Sequence, residues 1–165
     1  MTIVDKEVLK SGNVLRGLRD RFLDNPKVEN ISPLLACMID SDLHVPMNLN
    51  ISVEDAKTFK NSKVGDKVSL KNKMKMRPDW LKNEDDSDDL FLPVFSSVDE
   101  ATEEYNKNFS WINLSLDDCI ELVKSNDKCV GIVLDAYTKP FVITGDLLKI
   151  LEDILKNVRK NEEDK

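Results

Sequence analysis

Apolar side chains recur at helical spacing near both ends of the chain, and at alternating or continuous spacing in between. Val4, Val8, Leu15, Leu18 and Phe22 share one helical face, so residues 3–24 predict one amphipathic helix, or two if Gly12 breaks it. Asn25-Pro26 ends that segment, because a residue before proline is pushed out of the α region. A second helix is expected with Ser32 as its cap and Pro33 in its first position, burying Leu34, Leu35, Met38 and Ile39. Leu43, Val45, Met47, Leu49 and Ile51 alternate with polar positions and predict a half-buried strand, which Pro46 assigns to a sheet edge or a bulge. Ser52 to Lys60 reads as a short helix with Ser52 and Asp55 at capping-box spacing. Residues 67–76 alternate again, with Val68, Leu70, Met74 and Met76 on one face and Lys67, Lys71, Lys73 and Lys75 on the other.

Residues 77–89 read as an irregular link, and Leu90 to Phe95 as a short apolar strand. Ser97 opens a helix with Glu100 as capping partner, and Ser115 with Asp118 repeats the pattern ahead of the stripe Leu116, Cys119, Ile120 and Val123. Between them, Phe109 to Leu114 holds a short extended piece. Cys129 to Leu134 is a nearly continuous β-branched run, as in a strand covered on both faces. A turn over Tyr137–Pro140, a short strand over Phe141–Ile143 and a helix capped by Thr144 complete the chain. Leu147, Leu151, Ile154 and Val158, with Leu148 and Leu155, form the apolar face of that helix. Helices and strands interleave, which predicts an α/β (α+β) chain: a mixed sheet of about five strands flanked by helices. Its 165 residues suit one domain, taken as 1–157, followed by a polar tail over 158–165.

Composition narrows the function classes. The chain is 41% hydrophobic, enough for a core, and its net charge of -7 works against general attraction to nucleic acid or anionic membrane. No run approaches the ~18 apolar residues of a membrane span. The start, MTIVDKEVLKSGN, does not read as a signal peptide. Cys37, Cys119 and Cys129 are an odd count with no close pair, which points to reduced thiols and a cytoplasmic protein. The excess of lysine over arginine and the many asparagines suggest a bacterial source.

The run FLPVFSSVDE at residues 91–100, followed by CVGIVLDAYTKPFVITGDLLKIL from Cys129, resembles the N-terminal domain of the SseB family, named for an enhanced-serine-sensitivity protein. Leu43-His44-Val45-Pro46 resembles that family's early "VP" segment, and Leu92 to Ser97 its "LPVFTS" strand. Order and spacing fit over about residues 30–157. Two departures stand out: Ser96 replaces the usual threonine, and Asp135-Ala136 stands where Asn-Pro is expected. The resemblance implies an α/β fold and brings no established active site.

No catalytic, metal or cofactor set emerges from the residues themselves. His44 is the only histidine, and Cys37 is its nearest thiol, so a small thiol enzyme would have to use that pair. The cluster Glu84, Asp85, Asp86, Asp88 and Asp89 lacks the glycine and distal glutamate of a calcium loop and reads as a solvated run. Ser96-Ser97, between a strand and a helix, has the position of a phosphate cradle. Asp99 and Glu100 would repel a phosphate there, so it reads as a cap. Charge is segregated: residues 57–77 hold eight Lys or Arg against one acid, Asp66, while residues 83–104 hold nine Asp or Glu and no base. The basic strand of Lys67, Lys71, Lys73, Lys75 and Arg77, with Trp80 beyond it, is the candidate partner-binding surface; Trp111 is a second possible anchor. The leading expectation is a non-enzymatic protein-binding or regulatory module. The alternatives are a nucleic-acid-binding protein using the same basic strand, a partner class disfavoured by the net charge, and the Cys37–His44 enzyme. No cofactor, metal or membrane is expected.

Overall fold

Gly12 stands at φ 76°, in the left-handed region, and the first described helix, α1 (Asn13–Asp24), begins at the next residue. The computed structural model of the chain describes residues 12–50, 57, 60–61, 75–83, 87–106 and 109–163. A Cβ on Gly12 would lie 2.3 Å from the carbonyl oxygen of Ser96, so this close approach also requires glycine. The expected helix over Ser52–Lys60 falls outside the described residues except for Lys57 and Lys60, which are helical.

The second helix, α2, spans Val28–Asp40 and so starts before the expected Ser32 cap, with Pro33 inside it. Two features make this tolerable. Pro33 is exposed, so the Glu29 carbonyl that loses its bond faces water, and the Ser32 hydroxyl donates back to the Val28 carbonyl at 3.3 Å. Leu34, Leu35 and Met38 are buried as the spacing predicted. Ser41 ends the helix by donating from its hydroxyl to the Cys37 carbonyl at 2.6 Å.

The described strands form two sheets. One has the order β2 (Lys75–Pro78), β1 (Leu43–Asn50), β5 (Ser110–Leu114); the other has β3 (Leu81–Lys82), β4 (Leu90–Val94), β6 (Cys129–Leu134), β7 (Phe141–Thr144). The second is mixed, because β4 and β6 run parallel while β3 and β7 pair antiparallel at its edges. His44 and Phe95 join the sheets by exchanging both backbone bonds, at 2.8 and 2.9 Å. The class is therefore α/β, with more strands than the alternation alone marked.

Pro46 corrects the edge assignment of β1, which is the central strand of its sheet. The proline sits where the neighbour of β1 changes from Phe95, opposite His44, to β2, opposite Met47 and beyond. Its carbonyl still accepts from the Asp79 N–H at 3.1 Å, and its missing N–H falls in the gap between partners.

The short helix α3 (Glu103–Asn106) follows a 3₁₀ turn over Val98–Glu100, and α4 (Leu116–Lys124) and α5 (Gly145–Glu163) cover the second sheet. Ser115 caps α4 as expected, accepting from the Asp118 N–H at 3.2 Å. The core joins Leu34 and Met38 of α2, Leu43 and Val45 of β1, Leu92 of β4, Leu116 and Cys119 of α4, Ile132 and Leu134 of β6, and Leu151 of α5. β6 runs between β4 and β7 with no room at Gly131, where a Cβ would come within 2.2 Å of the Ile143 carbonyl oxygen. Gly131→Ala is expected to cost about 1–3 kcal/mol, as overpacking does. The measurement is a thermal melt, in which each kcal/mol lowers Tm by about 2–4 °C at this chain length.

Candidate functional site

The residues singled out by charge are only partly in view. Lys67, Lys71 and Lys73 lie outside the described residues. Lys75 and Arg77 both lie in β2, and Arg77 is exposed. β2 lies at the edge of its described sheet, where an exposed cation such as Arg77 discourages pairing with another chain. Trp80 is half-buried and packs against the core, and Trp111, also half-buried, meets Phe95 edge-on at 5.2 Å. Phe95 is fully buried among Trp111, Tyr105 and Tyr137, and the Tyr105 hydroxyl donates to Asp79 at 2.6 Å. Burial, then the neighbouring Asp79 carboxylate, pushes the Tyr105 phenol far up, so it keeps its proton as a donor.

Cys37 and His44 are not brought together as a nucleophile and base. The polar partner of the Cys37 thiol is Ser41, at 3.6 Å, and burial raises the thiol further from the thiolate a nucleophile requires. His44 spends its backbone on Phe95. Burial likewise raises Cys119, to about 12, and Cys129. Among the described residues no group of three or more His, Cys, Asp or Glu could hold a metal ion.

Charge spacing alone did not reveal the buried polar cluster at the parallel ends of β4 and β6. Asp135 follows β6 in the left-handed conformation, φ 53°, and is 0% exposed. Its Oδ1 accepts from the Ser96 N–H at 2.8 Å, and its Oδ2 accepts from the Ser96 hydroxyl at 2.9 Å and from the Arg19 guanidinium. Arg19 stands on the same face of α1 as Leu15, four residues earlier, and also meets Asp20 at 2.9 Å and Glu100 at 3.7 Å. Glu100 is drawn into this cluster, accepting from Thr138 at 2.5 Å and facing Arg16 at 3.5 Å, so it does not complete the expected capping box with Ser97. Ser97 caps alone, accepting from the Asp99 N–H at 3.2 Å. Burial pushes the Asp135 carboxyl up, against the Ser96 donors and Arg19, which pull it down. The Asp135 carboxylate, the Ser96 N–H and hydroxyl and the Arg19 guanidinium all find partners here, so the cluster ties α1 and the Ser96 turn to the sheet.

The profile of the SseB protein N-terminal domain matches residues 20–149. The chain belongs to that family. No curated protein and no solved structure matches it. In this SseB domain the turn at Asp135, where the family resemblance suggests Asn-Pro, keeps a residue suited to the left-handed region, since Asp and Asn both tolerate positive φ. The aspartate adds a charge that Arg19 answers. Among the described residues no helix is long and apolar enough to cross a membrane.

The other notable surface of the domain is apolar. A groove of about 430 Å³ runs between α2 and α5, floored by Val28, Ile31, Leu35 and Ile39 on one side and Ile150 and Ile154 on the other. Val28 is 79% exposed and Ile150 50%. The spacing in α5 marked one apolar face, but the structure divides the helix. Leu151 and Leu155 enter the core, while Ile150 and Ile154 turn to the groove and Val158 stays exposed.

Proposed function

We propose that this SseB domain is a non-enzymatic protein-binding module of the bacterial cytoplasm, and that its partner seats in the groove between α2 and α5. The groove itself carries the reading. Aliphatic side chains on two helices line one concavity open to water, and contiguous exposed apolar surface of this kind marks an interaction site. An apolar groove between helices takes a partner's side chains by burial, and no reacting group is required of its walls. The raised Cys37 thiol and the absence of a Cys37–His44 contact weigh against the thiol enzyme. The net charge of -7 weighs against nucleic acid.

Affinity capture from native cytoplasm with the wild-type chain and with Val28→Glu/Ile150→Glu tests this. Both positions are exposed, where substitutions usually change stability by no more than about 0.5 kcal/mol, so the variant is expected to fold. A protein retained by the wild type is expected to be lost from the variant. An identical set retained by both would remove the groove from the function.

A further inference from the structure

The groove lining is uncharged, and helical spacing sets acids beside it on both helices. On α2, Ala36 lines it, and Glu29 and Asp40, seven residues before and four after, continue the same helical row. On α5, Ile150 lines it, and Asp146 and Asp153, four before and three after, continue that row. All four acids are exposed, and none forms an ion pair among the described residues. Residues 28–40, VENISPLLACMID, include no base, and the cations of α5 nearest the groove, Lys149 and Lys156, lie one row further out. From Val28 to Ile39 the floor is about 16 Å long at 1.5 Å per residue, or three helical turns.

We infer that the occupant of the groove is an amphipathic helix of a partner protein, about three turns long, with aliphatic residues on one face and Lys or Arg along both flanks of that face. The inference rests on the protein-binding reading and adds the partner's chemistry. The apolar stripe fills the floor, while the flanking cations meet Glu29 and Asp40 on one side and Asp146 and Asp153 on the other. An acidic helix would bring like charges together on both walls.

The test is fluorescence anisotropy on the full chain at ~150 mM salt. The probes are three labelled 18-residue peptides: one with leucines at helical i, i+3, i+4, i+7 spacing and lysines elsewhere, one with glutamates replacing the lysines, and one lysine peptide shuffled to destroy the stripe. The patterned lysine peptide is expected to bind at least tenfold tighter than either control. Val28→Glu/Ile150→Glu should lose at least tenfold of that affinity, and Glu29→Lys/Asp153→Lys, which leaves two acids against two lysines on the flanks, should erase most of the lysine peptide's advantage over the glutamate peptide. If the glutamate peptide binds as tightly and Val28→Glu/Ile150→Glu abolishes it, the groove stands as a protein site but the basic partner is overturned. If the shuffled peptide binds as well as the patterned one, or the groove variant changes nothing, both readings fall. A wild-type dimer that Val28→Glu/Ile150→Glu dissociates would make a second copy the occupant and overturn the inference.

Discussion

Asp135→Ala is expected to destabilise the domain by about 3–5 kcal/mol, the cost of breaking a buried ion pair from one side. The substitution strands the Arg19 guanidinium, whose side chain is 5% exposed, with only Asp20 and the more distant Glu100 as counter-charges. It also leaves the Ser96 N–H without its acceptor and places alanine at φ 53°, where a Cβ without a polar side chain is disfavoured. Domains are stable by only about 5–15 kcal/mol, so the loss is a large fraction of the whole. Asp135→Asn keeps a residue suited to that conformation and one acceptor oxygen, and is expected to cost less than alanine. Arg19→Met/Asp135→Ala should recover part of the loss, because the stranded charge goes with its partner. Urea melts of the three variants measure this. An Asp135→Ala unfolding free energy within about 0.5 kcal/mol of wild type, the range of ordinary surface changes, would show that the cluster does not clamp the fold.

Native labelling of Cys119 by a thiol reagent at pH 8 is expected to be about a thousandfold slower than in the unfolded chain. Burial holds this thiol at about 12, the nearby Asp118 carboxylate adding to the effect. A free thiol near 8.5–9 is roughly a tenth or more ionised at pH 8, whereas Cys119 is ionised to roughly one part in ten thousand, and only the thiolate reacts. Steric burial adds to this factor. Cys37 and Cys129, raised in the same direction, should also lag. The sign carries over to stability. A thiol raised on folding contributes stability that is complete below its unfolded pKa, and it is lost as pH climbs from about 9 toward the folded value. Time-resolved labelling with and without denaturant, followed by mass spectrometry to assign each cysteine, is the measurement. Rapid native labelling of Cys37 at neutral pH would revive the thiol-enzyme reading.

The pattern of apolar positions was sufficient for several local elements of this SseB domain, though not for the start of α2 or for β3 inside the expected irregular link. The buried run at Cys129–Leu134, the alternation from Leu43, the Ser115 cap and the stripe of α4 are all set by neighbours within a few residues, and all appear where the spacing placed them. Even the clamp left a trace: an arginine on the core face of the first helix and an aspartate closing a buried strand are charges in apolar company. Their pairing, 116 residues apart, is a matter of which strand end meets which helix, and no local period encodes it. The same holds for Pro46. A proline in a strand says that one hydrogen bond is missing, but only the junction of Phe95 and β2 beside β1 provides a gap where none is needed. It holds most of all for the groove. Helical spacing marks α2 and α5 as apolar, yet which of those side chains enter the core and which line a surface concavity depends on how far apart the two helices are held, and that distance is decided by the sheet and helices packed beneath them.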